Sequence, residues 1–153
     1  MNKGHKYVPW RLVRSWRCIR CGRCCIVYSV PLLKNEVVNL TRKYGEVVVI
    51  RGGKYILKSK PNSECIFLSW INGKAYCRIY FERPLVCRLY PLYIRLIPLP
   101  NAGPPQLAEY TCNDGLTLYV YVDALCPGTN KRGFPIEFVV SQTVSIWRSE
   151  LGI

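Results

Sequence analysis

Four cysteines fall within eight residues, Cys18-Ile-Arg-Cys21-Gly-Arg-Cys24-Cys25, and this string restricts the fold more than any other feature of the chain. Two residues between thiolates let a turn aim both sulfurs at one ion, and Gly22 frees the backbone to bend. The C-x2-C-x2-C spacing of Cys18, Cys21 and Cys24 matches the run that sets three thiolates on a 4Fe–4S cluster. The same spacing supplies part of a tetrahedral zinc site. Adjacent Cys24 and Cys25 project differently and are expected to serve different metals or roles. Buried or disulfide-bonded cysteines are the competing reading, and so dense a cluster favours metal.

Five further cysteines lie at 65, 77, 87, 112 and 126. Each alone reads as a small buried hydrophobe. IFLSWI-NG-KAYCRIY (66–80) predicts a hairpin through Asn72-Gly73. A two-residue turn pairs Ile71 with Lys74 and Leu68 with Cys77, so Cys65 would face Tyr80 and point away from Cys77. Either the strand ends before Cys65 and the chain bends, or the two cysteines belong to different metals.

The chain has 153 residues, enough for one domain, and half are apolar. Disorder is excluded on that ground. Twenty-two Lys and Arg against nine Asp and Glu give +13, which predicts attraction to anionic partners and says nothing of fold. A single His excludes chemistry that needs several histidines, including most catalytic zinc sites. Neither a secretory signal nor a membrane span is expected, since LYPLYIRLIPLP is cut by three prolines and an arginine. The expectation is a cytoplasmic protein, where reduced thiols favour metal; in a hyperthermophile disulfides stay open.

Residues 1–23 carry Lys3, Lys6, Arg11, Arg14, Arg17, Arg20 and Arg23 without an acid. We divide the chain into a basic arm (1–17) and a cysteine-cluster domain (18–153). If helical, the arm bears a drifting basic stripe with Trp10, Val13 and Trp16 on its apolar side; His5 reads as a surface residue there. A helix is expected over 31–44, with Pro31 suited to its first turn and Gly45 to its stop. Residues 46–58 predict a hairpin at Gly52-Gly53, 91–105 a Pro-rich connection irregular over most of its length, 116–122 a strand and 135–151 a helix. The fold class is α+β, a small domain of short hairpins and a few helices with an irregular, metal-organised centre.

The cysteines and their neighbours, Cys18-x2-Cys21-Gly-x-Cys24-Cys25, Cys65-Ile-Phe-Leu, Cys77-Arg-Ile-Tyr-Phe-Glu-Arg-Pro-Leu-Val-Cys87-Arg-Leu-Tyr-Pro and Cys126-Pro-Gly, resemble the YkgJ-type CxxCxxCC family. Its members carry the description of zinc- or iron-chelating proteins, some the label iron–sulfur oxidoreductase, and the flagellin lysine N-methylase is a longer relative. The resemblance spans about residues 16–128. It implies eight metal ligands, Cys18, Cys21, Cys24, Cys25, Cys65, Cys77, Cys87 and Cys126. Eight thiolates fill two four-ligand sites, or one cluster and a structural ion, and leave Cys112 over.

Two functions compete. In the first, thiolates hold an iron–sulfur cluster, with zinc as the other metal, and Arg83 and Arg88 tune it by hydrogen bonds to sulfur. A redox or methylation-related role would follow. Radical-SAM chemistry fails on spacing, and Glu82, a lone acid between two cysteines, reads as solvated or ion-paired. In the second, zinc supports a nucleic-acid- or ribosome-associated module, with Lys6, Arg11, Arg14 and Arg17 on phosphate and Tyr7, Trp10 and Trp16 stacking on bases. Neither reading fixes the oligomeric state.

Overall fold

A computed structural model describes residues 4–153; Lys3 of the basic stripe lies outside them. The chain forms two compact units, unit 1 from residues 1–19 and 89–153 and unit 2 from residues 20–88. The elements are β1 (Tyr7–Pro9), β2 (Ser15–Trp16), α1 (Arg23–Val27), α2 (Lys34–Tyr44), β3 (Val48–Arg51), β4 (Lys54–Leu57) and β5 (Leu68–Ile71). There follow β6 (Lys74–Cys77), α3 (Leu85–Leu89), β7 (Leu92–Arg95), β8 (Glu109–Thr111), β9 (Thr117–Asp123), β10 (Phe134–Pro135) and α4 (Ile136–Leu151). Short antiparallel strands with helices in both units make the α+β class expected from the sequence.

Unit 1 is built on β9. Alternation sends Leu118, Val120 and Val122 to one face, where they meet Ile136, Val139, Val140, Val144 and Trp147 of α4. Tyr121 points the other way, into a cluster with Ala102 and Ala108, and its hydroxyl accepts the Leu99 N–H at 2.9 Å. The Pro-rich connection thus covers the second face of the sheet. Most of it is irregular, as expected, while Leu92–Arg95 forms β7 and pairs antiparallel with β9, Leu92 opposite Val122. Four residues free of proline suffice for a strand when Leu92 and Ile94 both bury.

The segment expected as a separate arm is built into unit 1. β1 pairs with the other edge of β9, Tyr7 opposite Asp123, and Trp10 and Val13 are core residues. A single 3-10 turn, Trp10–Leu12, replaces the conditional helix. The Trp10 indole N–H donates to Glu109 O at 3.1 Å, tying this turn to β8. His5 is also not a free surface residue, since its Nδ1 lies 3.0 Å from Asp123 Oδ2 and its ring stacks on Tyr7. Asp123 is fully buried, and its carboxylate accepts the Lys6 N–H at 3.0 Å, the Leu125 N–H at 3.1 Å and the Tyr90 hydroxyl at 2.9 Å. Burying a carboxylate is costly without such partners.

In unit 2, α2 and the hairpins β3–β4 and β5–β6 enclose Val30, Leu40, Val47, Leu57, Phe67 and Ile79. The second hairpin has the register expected, Leu68 opposite Cys77 and Ile71 opposite Lys74. Positive φ at Asn72 and Gly73, 50° and 75°, fits a turn of the I′ type. Leu33 offers no cap to α2, and Glu36 compensates by accepting the Leu33 N–H at 3.2 Å. Its second oxygen accepts the Leu85 N–H at 2.8 Å and so ties α2 to the start of α3.

Two outcomes test this packing. Leu118→Ala should cost about 2–5 kcal/mol in denaturant unfolding, because the sheet on both sides limits collapse of the cavity. Asp114 is held down to about 2, first by hydrogen bonds from the Arg148 guanidinium and then by the Leu116 N–H. Its contribution is present above the unfolded carboxyl value of about 3.9 and is lost as pH falls towards the folded one. Asp114→Asn should therefore flatten the small decline in melting temperature across that acid window.

Candidate metal centre

Unit 2 holds six of the nine cysteines. Cys21 is exposed and sits in the turn before α1. Gly22 follows in the left-handed region at φ 77°, and Cys24 and Cys25 ride the first turn of α1, with the Cys25 N–H bonded to Gly22 O at 3.0 Å. Cys65 lies outside β5, so the bend, one of the two alternatives left by the sequence, is what occurs. Its N–H donates to Cys25 O at 2.7 Å, and it bridges to Ser59. Cys77 ends β6, and Cys87 is on α3.

The thiols of Cys24, Cys25, Cys65, Cys77 and Cys87 lie within electrostatic reach of one another. Cys24 is lowered to about 7, first because the Cys25 thiol donates to its sulfur, with burial opposing and Arg83 helping. Cys25 is raised by that same bond, then by burial and the charges of Cys24, Cys65 and Cys87. Burial is the leading cause that pushes Cys65, Cys77 and Cys87 upward. Further upward pushes come from Cys77 and Cys24 on Cys65, from Cys24 on Cys77, and from Cys65, Cys24 and Cys77 on Cys87. Cys24 and Cys25 thus interact directly, thiol to sulfur.

Arg83 favours the ionised forms of Cys24, Cys77 and Cys87. Its guanidinium lies 4.1 Å from the Tyr80 ring centroid, and its Nε donates to Tyr80 O at 3.0 Å. Arg88 braces it by donating from Nε to Arg83 O at 3.1 Å. Glu82 is ion-paired with Lys43 and accepts from Tyr44, as one of its two expected roles had it.

The other three cysteines belong to unit 1. Cys126 is buried, and its sulfur accepts the Trp16 indole N–H at 3.3 Å. The Arg17 N–H donates to Gly128 O at 3.3 Å, setting the residue before the exposed Cys18 beside the Cys126-Pro127-Gly128 turn. A Cβ on Gly128 would fall 1.8 Å from Arg17 O, so only glycine permits this approach. Cys112 packs against the unit 1 core, with its thiol beside Arg148. Of the tentative phosphate-binding residues, Lys6, Arg14 and Arg17 are exposed. Arg11 is exposed but donates to Gln106 O and Glu109 O, while Trp10 is buried and Tyr7 stacks on His5.

A family model with the description "Putative zinc- or iron-chelating domain", named CxxCxxCC, matches residues 17–114 of the 153. The chain belongs to the CxxCxxCC family. The matched segment takes in the eight cysteines from Cys18 to Cys112 and stops before Cys126. No curated protein and no solved structure matches the chain. Among the described residues no helix is long and apolar enough to cross a membrane.

An all-thiol donor set suits the metals of the CxxCxxCC family, because soft thiolates select zinc and iron–sulfur clusters over hard cations. Among the described residues no three Cys, His, Asp or Glu side chains already stand in ion-holding geometry. A metal held by these thiols would require them to draw closer and lose protons, which would couple its binding to pH and to folding. Sequence reasoning did not single out Glu36, Glu64 or Trp70, which link the cysteine-bearing segments; no motif announces a contact between remote residues. In metal-free protein iodoacetamide at a pH of about 7 should label Cys24 well before Cys25 or Cys87, as read by peptide mass spectrometry. Equal rates at the three would contradict the thiol–thiolate pairing.

Proposed function

We propose that the protein holds an iron–sulfur cluster through cysteine thiolates and works in electron transfer, with zinc as the alternative metal. The ligand set proposed is Cys18, Cys21, Cys24, Cys25, Cys65, Cys77, Cys87 and Cys126. The observation that carries it is the gathering of five thiols around one field with a guanidinium, Arg83, beside them. A cluster with four thiolates is anionic, and N–H donors and positive charge near its sulfurs raise the reduction potential. When bound, such a cluster supplies one-electron chemistry; the chain supplies the thiolates, the partial burial and the Arg83 charge. A methylation-related role draws on the family label alone. The nucleic-acid reading draws less support, because Trp10 and Tyr7, meant to stack on bases, are packed within unit 1.

The deciding experiment is metal and sulfide analysis of protein purified without oxygen, with an absorption spectrum. Iron with sulfide and a band at roughly 400 nm is expected. Cys24→Ser and Cys87→Ser should each lower the metal content, and Cys112→Ser should leave it unchanged. A colourless protein with roughly one or two zincs per chain would replace the cluster by structural zinc.

A further inference from the structure

Unit 2 contains a side-chain link between the two loops that bring most of its thiols together. Trp70, on β5, lies over the Cys21–Cys24 turn so closely that a Cβ on Gly22 would fall 2.6 Å from its Cη2. The indole N–H, on the far side of the ring system, donates to Glu64 Oε2 at 2.9 Å. Glu64 is the residue before Cys65, and it is braced from three sides. Its N–H donates to Asn62 Oδ1 at 3.1 Å, its carbonyl accepts the Lys60 N–H at 2.7 Å, and Lys60 Nζ stands 3.7 Å from Oε1. Lys60 Nζ is itself fixed by donating to Leu68 O at 2.7 Å.

Trp70 is 44% exposed, a poor position for a large aromatic whose only duty is core packing. Opposite it in the hairpin stands Ala75, whose Cβ would lie 3.1 Å from a Cβ on Gly22. The ring is thus seated by a glycine in front and fixed by a hydrogen bond behind. Along with the Cys65 N–H to Cys25 O bond, this makes a second tie between the same two loops.

We propose that Trp70 and Glu64 form a clasp that sets the spacing between the Cys21–Cys25 turn and Cys65, and so act as positioning residues of the thiolate centre. The inference rests on the metal-binding reading above. A clasp of this kind touches no metal; it limits how far the ligands must move to close, and loss of such outer contacts weakens metal binding by about 10–100-fold in known sites.

The test is the affinity of the full chain for Zn2+ and for Fe2+, measured by competition with a chromophoric chelator without oxygen. Unfolding midpoints of the metal-free proteins are recorded alongside. Trp70→Phe removes the N–H donor, and Glu64→Ala removes the acceptor; both should bind on the order of 10–100-fold more weakly. Glu64→Gln keeps a carbonyl acceptor for the indole and should bind nearly as the wild type does. A purely stabilising role would lower the midpoints and leave the affinity of the folded protein unchanged, and that result would overturn the clasp. A wild-type chain that binds neither metal would overturn the centre and the clasp together, whereas wild-type binding with unaltered variants removes the clasp alone.

Discussion

Gathering ionisable sulfur away from water is the constraint on which the architecture of unit 2 turns. Burial raises Cys65, Cys77 and Cys87 before any neighbour is counted, and each ionised neighbour raises them further. Two effects of the same sign leave most of the set protonated until a cation offsets them. Arg83 offsets part, and only Cys24, which accepts the Cys25 thiol, is brought down to about 7. The fold must therefore hold the loops together by contacts that do not depend on the metal. The Cys65–Cys25 backbone bond and the Glu36 link to Leu85 are contacts of that kind.

Parts of this were legible in the sequence because they are local. Asn72-Gly73 fixed a turn with two positive φ values, and from it the pairing of Leu68 with Cys77 followed residue by residue. The 3.6-residue period of Ile136, Val139, Val140, Val144 and Trp147 needed only one buried face. β1 and β7 were not legible for the opposite reason. A run of three or four residues becomes a strand here because β9 presents an edge to each, and neither proline content nor charge reports on an edge supplied by residues remote in sequence. The cysteine spacing announced a metal site, yet the backbone bond that brings Cys65 to Cys25 joins segments remote in sequence, which no local rule dictates.

Acidic side chains recur as the ties between remote segments. Of nine acids, Glu36, Glu64, Glu82, Asp114 and Asp123 each bond to a side chain or backbone group distant in sequence or across a turn. Asp123 is the extreme case, fully buried and satisfied by Lys6, Leu125 and Tyr90. Glu64 and Asp114 are lowered by their partners, so both ties favour the ionised form. Two of these acids, Glu82 and Asp114, pair with Lys43 and Arg148 and so offset part of the basic charge locally.

The thiolates could account for another part, and charge arithmetic shows how much. A divalent ion with four thiolates carries about −2. Two such centres would bring the formal +13 down to about +9. Arg83 is thus matched to the centre by position, but the greater share of the basic residues is not needed as countercharge. Lys6, Arg14 and Arg17 remain exposed on unit 1, and Arg20 stacks on Tyr76 in unit 2. The basicity is mainly a property of the surface, where it favours anionic partners and raises solubility, and it would persist whichever metal the thiolates hold.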